Sequence, residues 1–349
     1  PSFAHLGTAG SITFPRGGFG GPIVKSRSYA IGIDMGGTRI KGGAVTGKGK
    51  LLGEHTVPTP THGGRKALLA TVESLVRQLQ RRWGVPSGVG LALSGVVEPD
   101  FGVVYLPGKV QGLEGLPLVP SLRRSLRLPV RADNDGRLAM LAERRFGAAR
   151  GEDWAVTLTL GTGIGSGVVV NGEMPVDEGL QFGTQAGHLV LQSDGGKACL
   201  TTCIGTAETL CSCTALAMAV REALQRGIPS RLTETYGRNP HSVDFRRIVD
   251  AVRSRDQLSV QEFTRWTGYL ARLVTTVIHA YGARRVIFAG GGAHAADLFL
   301  PSVRRWVAQH TFRYPPHRAL KILISPFPDH SGVFGAAALH LPDFDSPRP

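Results

Sequence analysis

Two segments of this chain repeat one pattern: a short apolar run, a glycine cluster with a threonine, and a second apolar run. The first runs from residues 30–34 through Met35-Gly36-Gly37-Thr38 to residues 43–45. The second runs from residues 155–160 through Gly161-Thr162-Gly163-Ile164-Gly165-Ser166-Gly167 to residues 168–170. They lie about 125 residues apart. Each reads as strand, turn, strand. The second loop satisfies a Gly-x-Gly-x-x-Gly search only superficially, because a dinucleotide-binding loop of that kind opens a helix. Glycines at a strand end let backbone N–H groups approach an anion with no Cβ in the way. Taken singly, either loop is equally a hairpin turn. Taken together, they predict two related α/β lobes that grip a phosphate chain from both sides of a cleft.

The rest of the chain fits this frame. Residues 51–57, 88–93, 101–106 and 129–132 read as strands, and 62–83, 119–126 and 135–146 as helices. In the second half, 206–225, 245–252 and 259–281 read as helices, 285–289 and 320–324 as strands, and 331–341 as a last helix. The 259–281 segment carries an apolar stripe at helical spacing (Phe263, Trp266, Leu270, Leu273, Val274, Val277, Ile278). Ser259 and Glu262 have the spacing of a capping box. A third glycine cluster, Gly290-Gly291-Gly292, follows a buried strand and precedes a helix. It suits close packing against a nucleoside, or simply a tight turn. The expected organisation is a disordered basic extension over 1–28, a smaller lobe over 29–134 plus 331–345, and a larger lobe over 135–330.

Composition excludes several classes. There are 40 Lys and Arg against 26 Asp and Glu, a net charge of +14. Nucleic acid, a membrane surface or a phosphorylated ligand would each suit that charge. The chain has no apolar run of about 18 residues, so no membrane-spanning helix is expected. Residues 1–28 carry only three basic side chains and no continuous apolar segment, which disfavours both a nucleic-acid arm and a signal peptide. The four cysteines (Cys199, Cys203, Cys211, Cys213) cluster within fifteen positions, which fits a reduced, cytoplasmic enzyme better than a disulfide scaffold.

One carboxylate stands out. Ala132-Asp133-Asn134-Asp135-Gly136 joins a strand to a helix. Asp135 can be the helix cap, or a base that takes a proton from a substrate hydroxyl beside the phosphate loops. Both roles can fall on adjacent residues, Asn134 fixing the geometry.

Together these residues resemble the ROK family of sugar kinases, over about residues 29–341. The resemblance implies an actin-like (ribonuclease-H-like) ATPase fold: two α/β lobes, mixed sheets flanked by helices, with the active site between the lobes. Asp34-Met35-Gly36-Gly37-Thr38 is similar to the family's first phosphate motif, and Leu160 to Gly165 to its second. Asn134-Asp135 matches its catalytic pair, Gly187-His188 the end of its Glu-x-Gly-His sugar motif, and Glu208 a later sugar-binding glutamate. The implied chemistry is phosphoryl transfer from ATP to a hexose hydroxyl, usually the 6-hydroxyl, with glucose the default and Asp135 the base. Asp34 lies near Mg²⁺; Gly36, Gly37, Thr38, Lys41, Gly161, Thr162 and Gly163 hold phosphates. Gly291 and Gly292 sit on the adenosine side. Asn134, Gln185, His188 and Glu208 hold the sugar. A homodimer or homotetramer is implied, with no nucleic-acid or membrane partner.

The sequence departs from the family at three places. Gln185 stands where the sugar motif has glutamate, so one acceptor remains but the charge is lost. Many family members bind structural zinc through that histidine and Cys-x-Cys-Gly-x-x-Gly-Cys; here the spacing is broken. His188, Cys199, Cys203 and either Cys211 or Cys213 could make four ligands. Yet Cys211 and Cys213 fall in a helical, partly apolar stretch where cysteine is a small core residue, so zinc is not favoured, and His188 is then expected to be oriented by protein hydrogen bonds. Lys109 stands near a family asparagine that touches the sugar, and is otherwise a solvated loop lysine. A repressor of this family is disfavoured, because the 33 residues ahead of Asp34 show no helix pair for DNA. A non-catalytic sugar sensor and a polyphosphate-dependent hexokinase are the remaining alternatives.

Overall fold

The computed structural model describes residues 29–105, 110, 112–175, 185–199, 201–312 and 320–342. The 1–28 extension, Lys109 and the last residues of the 331–345 segment lie outside the described residues.

The first half builds around a five-stranded sheet. Strands β1 (Tyr29–Met35), β2 (Arg39–Thr46) and β3 (Leu51–Pro58) form an antiparallel meander. Helix α1 (Gly64–Trp83) follows and buries Leu68, Val72, Leu75, Val76 and Leu79 on one face of the sheet. Next come β4 (Val89–Leu93), the short pair β5 (Val97–Glu98) and β6 (Val103–Val104), helix α2 (Leu118–Leu126) and β7 (Val130–Asn134). The sheet order is β3-β2-β1-β4-β7, with β1, β4 and β7 parallel. Strand carboxyl ends therefore gather on one edge, where ligands bind in α/β sheets.

Helix α3 (Asp135–Phe146) leads to a second sheet: β8 (Ala155–Leu160), β9 (Ile164–Val169), β10 (Arg285–Ala289) and β11 (Lys321–Ile324), in the order β11-β10-β8-β9. Between β9 and β10 run α4 (Ala207–Cys211), α5 (Cys213–Gln225), α6 (Thr233–Arg238), α7 (Phe245–Arg253) and α8 (Gln257–Tyr281). Helix α9 (Ala296–His310) precedes β11, and α10 (Ser331–Ala338) closes the described chain. Trp266 of α8 anchors the larger core, ringed by Phe245, Phe263 and Phe299.

Helix α10 returns to the first sheet. A Cβ on Gly32 of β1 would sit 1.9 Å from the Val333 carbonyl oxygen, and one on Gly90 of β4 1.8 Å from that of Ala336. On the other side, a Cβ on Gly335 would sit 1.8 Å from the Leu138 carbonyl oxygen of α3. Sheet, α10 and α3 thus touch backbone to backbone, so α3 and the cleft beside it are held without intervening side chains.

Several boundaries differ from the expectation, each for a tertiary or local reason. The strand expected over 101–106 is only Val103–Val104, because the Glu98 carboxylate accepts from the N–H groups of Asp100 and Phe101 and turns the chain. The helix expected over 206–225 is broken at Ser212, whose hydroxyl caps the start of α5. The break frees the Cys213 N–H to bond the Gly161 carbonyl, 3.0 Å away. The capping box at Ser259 is not formed: the helix starts earlier, and Asp256 accepts from both the N–H and hydroxyl of Ser259. Helix α6 carries no buried residue and left no periodic signal.

Candidate active site

The β1–β2 turn is tied from behind. Thr59 donates its hydroxyl to the Gly36 carbonyl at 2.7 Å and its N–H to the Thr38 carbonyl at 3.0 Å. Asp34, one residue before the end of β1, lies opposite Lys41 of β2, and Lys41 Nζ donates to the Asp329 carbonyl at 2.8 Å, linking this hairpin to the chain ahead of α10. The β8–β9 turn is tighter, with Leu160 paired to Ile164 and Gly161 N–H on the Gly163 carbonyl. A Cβ at Gly161 or Gly291 would meet no protein atom within 4 Å, so both glycines face open space.

Between the turns lies a cleft of 1110 Å³. It is lined by Asp34, Gly36, Gly37 and Lys41 on one side and Gly161, Thr162 and Gly163 on the other. Asn134 and Asp135 form its floor, Gln185, His188 and Glu208 one end, and Gly290 and Gly291 the other rim. Two residues expected in the site are not in its lining. Thr38 is exposed at the hairpin tip. Gly292 is buried, where a Cβ would strike Leu160 and the Cys213 sulfur, so it serves packing.

Asn134, not Asp135, caps α3: its Oδ1 accepts from the N–H groups of Gly136 (2.9 Å) and Arg137 (3.1 Å). Its Nδ2 donates to the Gly95 carbonyl at 2.9 Å, leaving one amide hydrogen for a ligand. Asp135 is therefore free of the cap and faces the cleft. Its Oδ1 accepts from the Gly136 N–H and its Oδ2 from the Ser94 hydroxyl, each at 2.8 Å. The start of α3 adds partial positive charge that suits a carboxylate.

Asp34 is the strained partner. Burial first, then the negative charge of Asp135, push its carboxyl from 3.8 up to about 6; Lys41 and His330 pull the other way. A divalent cation beside Asp34 would relieve that repulsion. Among the described residues no three His, Cys, Asp or Glu side chains gather into a metal cage. Magnesium needs less: one or two carboxylates, with phosphate oxygens and water. The residues present fit it.

The segment that carries Gln185, His188 and Glu208 rests on the second glycine turn. Glu208 accepts from the Ile164 N–H at 3.2 Å, Ala186 N–H donates to the Ser166 hydroxyl at 2.8 Å, and a Cβ on Gly187 would sit 2.3 Å from the Ile164 carbonyl oxygen. Zinc does not fit here. Cys211 is buried and its thiol donates to the Ala207 carbonyl; burial pushes its pKa up, and that of Cys213 up to about 12. The Cys211 thiol is thus a core group already given to a backbone carbonyl, not a side chain offered to a metal. Starting the Cys-x-Cys-Gly-x-x-Gly-Cys pattern at Cys199 puts Gly205 on its second glycine and threonines at the other two cysteines, Thr201 and Thr206. Thr202 replaces its first glycine and keeps a left-handed φ of 67°. The turn survives and the ligands do not: Thr201 Oγ1 lies 2.9 Å from Cys199 Sγ, and Thr206 caps α4. His188 Nδ1 is buried with no partner among the described residues, so the expected hydrogen bonds to that nitrogen are not found.

Ser94 was not anticipated, though a signal exists: it follows a buried strand, as Asn134-Asp135 does. Tyr281, at the end of α8, also lines the cleft and gave no signal.

A model of the ROK family matches residues 30–342. The glucokinase of Thermotoga maritima is 29% identical over 310 residues, covering 88% of this chain and 96% of that enzyme. The structure of the ROK hexokinase from Thermus thermophilus superposes with a TM-score of 0.71 at 27% identity, over 89% of this chain and 97% of that one. A ROK family glucokinase from Streptomyces griseus, solved with glucose and AMPPNP, superposes with a TM-score of 0.76 at 24% identity, over 89% and 99% of the two chains. That last likeness bears on the fold alone. Among the described residues no helix is long and apolar enough to cross a membrane.

Proposed function

The chain belongs to the ROK family, and from that premise we propose that it is an ATP-dependent hexose kinase, with glucose the first substrate to test. One observation carries the chemistry: a cleft-facing carboxylate, Asp135, released from capping duty by Asn134 and set between two glycine turns. Asp135 accepts the proton of the sugar 6-hydroxyl as that oxygen bonds to the γ-phosphorus. The bond from the γ-phosphorus to the bridging oxygen breaks, and ADP leaves with the electron pair. The N–H groups of the Gly36–Gly37 and Gly161–Gly163 turns and the Thr162 hydroxyl hold the phosphates. Gly291 leaves room for the adenosine. Gln185, His188, Glu208 and the spare amide hydrogen of Asn134 hold sugar hydroxyls. Asp34 would hold Mg²⁺, through water, and that ion would offset the phosphate charge. No step runs through zinc. A cytoplasmic homodimer or homotetramer completes the proposal; its mass in solution checks the oligomer.

Asp135→Asn tests the reading. Removing a general base costs ~10²–10⁴-fold in rate, so turnover falls by that much while calorimetry still detects sugar binding. More than a tenth of the activity retained overturns the assignment.

A further inference from the structure

Asp135 does not face the cleft alone. Strands β4 and β7 are parallel and pair Leu93 with Asn134. That register brings Ser94 and Asp135 side by side, each one residue past its strand. The Ser94 hydroxyl donates to Asp135 Oδ2 at 2.8 Å, and Asn134 Nδ2 ties the next residue, Gly95, to the same strand end.

We propose that Ser94 is a positioning residue for phosphoryl transfer: its hydroxyl fixes the rotation of the Asp135 carboxylate. The proposal rests on Asp135 being the base. Without Ser94, among the described residues only the Gly136 N–H holds the carboxylate, through Oδ1. Small errors in the reach of a base are costly in rate. The other charged groups nearby are already engaged or distant in role. Lys41 of β2 and His330, ahead of α10, act on Asp34. Asp133 is paired with Arg137 of α3. His188 and Glu208 line the sugar end of the cleft.

The test is the steady-state kinetics of Ser94→Ala with ATP and glucose. Expected are a kcat lower by about tenfold or more and both KM values within about twofold of wild type. Ser94→Thr restores the rate. If Ser94→Ala folds poorly, Ser94→Cys, close in size but a weak donor, is read instead and shows the same loss. An unchanged kcat, or a loss confined to KM, overturns the proposal. Asp135→Asn run alongside separates the failures. If it keeps activity, the base assignment is wrong; if it is inactive while Ser94→Ala matches wild type, only the role of Ser94 is wrong.

Discussion

The two ends of the cleft are built differently. The phosphate end is made from strand ends of both sheets: the β1–β2 turn, the β8–β9 turn and the start of α3. Its working groups are largely backbone, and glycines set their approach. The proposed sugar end is the segment over residues 185–199 and 201–208, laid on the second turn through Ser166, Ile164 and Gly187. Its working groups are side chains. At the phosphate end the family motifs stand intact. At the sugar end glutamine replaces glutamate, two threonines stand where zinc-binding cysteines would be, and a histidine nitrogen is buried without a partner among the described residues. At the backbone end a Cβ either strikes main chain, as at Gly36 against the Arg39 carbonyl oxygen, or enters the open cleft, as at Gly161. Side-chain sites can be rebuilt residue by residue while the turn under them persists.

Three substitutions or treatments sharpen that contrast. Asp34→Asn has the largest expected effect. Losing the carboxylate beside the phosphates lowers turnover by about 100-fold or more. The same change stabilises the protein. The folded-state pKa of Asp34, about 6, exceeds its ordinary 3.8, so the folded form is favoured while Asp34 is protonated. That advantage is full below the ordinary value and is lost as pH rises through about 6. Asparagine removes the penalty of ionisation, on the order of 2 kcal/mol once the water in the cleft is allowed for. In magnesium-free denaturation, the variant gains on wild type between pH 4 and 7 and gains nothing more above. A constant difference across that range contradicts the burial of this charge.

Gly161→Val probes the phosphate end without disturbing the fold. A Cβ there meets no protein atom within 4 Å, so the melting temperature stays within about 2 °C. The KM for ATP rises about tenfold, because the side chain enters space meant for phosphate. A collapse in stability with normal KM would mean the turn serves packing alone. The smallest effect belongs to the sugar end. Elemental analysis should find well under one zinc per chain, and a zinc chelator, with magnesium resupplied, should leave the rate unchanged. One tightly held zinc per chain contradicts the replacement of the metal by hydroxyls.

The same contrast explains what could be read from sequence. Both glycine turns, the Asn134-Asp135 pair and the apolar stripe of α8 were legible because each is local: a strand end, a cap, a helical period. The break at Ser212 was not, because it answers to Gly161, some fifty positions back, whose carbonyl needs the Cys213 N–H. The pairing of Ser94 with Asp135 was hidden for the same reason, since a parallel register sets it. Asp256 took the cap of α8 from Ser259 because a carboxylate one turn earlier also gathers Ser230 and the Arg231 N–H, a contact no local pattern announces. Asn134 as cap and Asp135 as cleft carboxylate were separable only once the hydrogen bonds were seen.

The most direct test is coupled ADP release by the purified protein, with ATP and Mg²⁺, across a panel of hexoses. Sugar-dependent ADP release is expected, with glucose or a close relative turned over and no release without sugar. Measurable sugar binding with no ADP release from any hexose would make the protein a sensor, and release with polyphosphate but not ATP would replace the donor; either result contradicts the central claim.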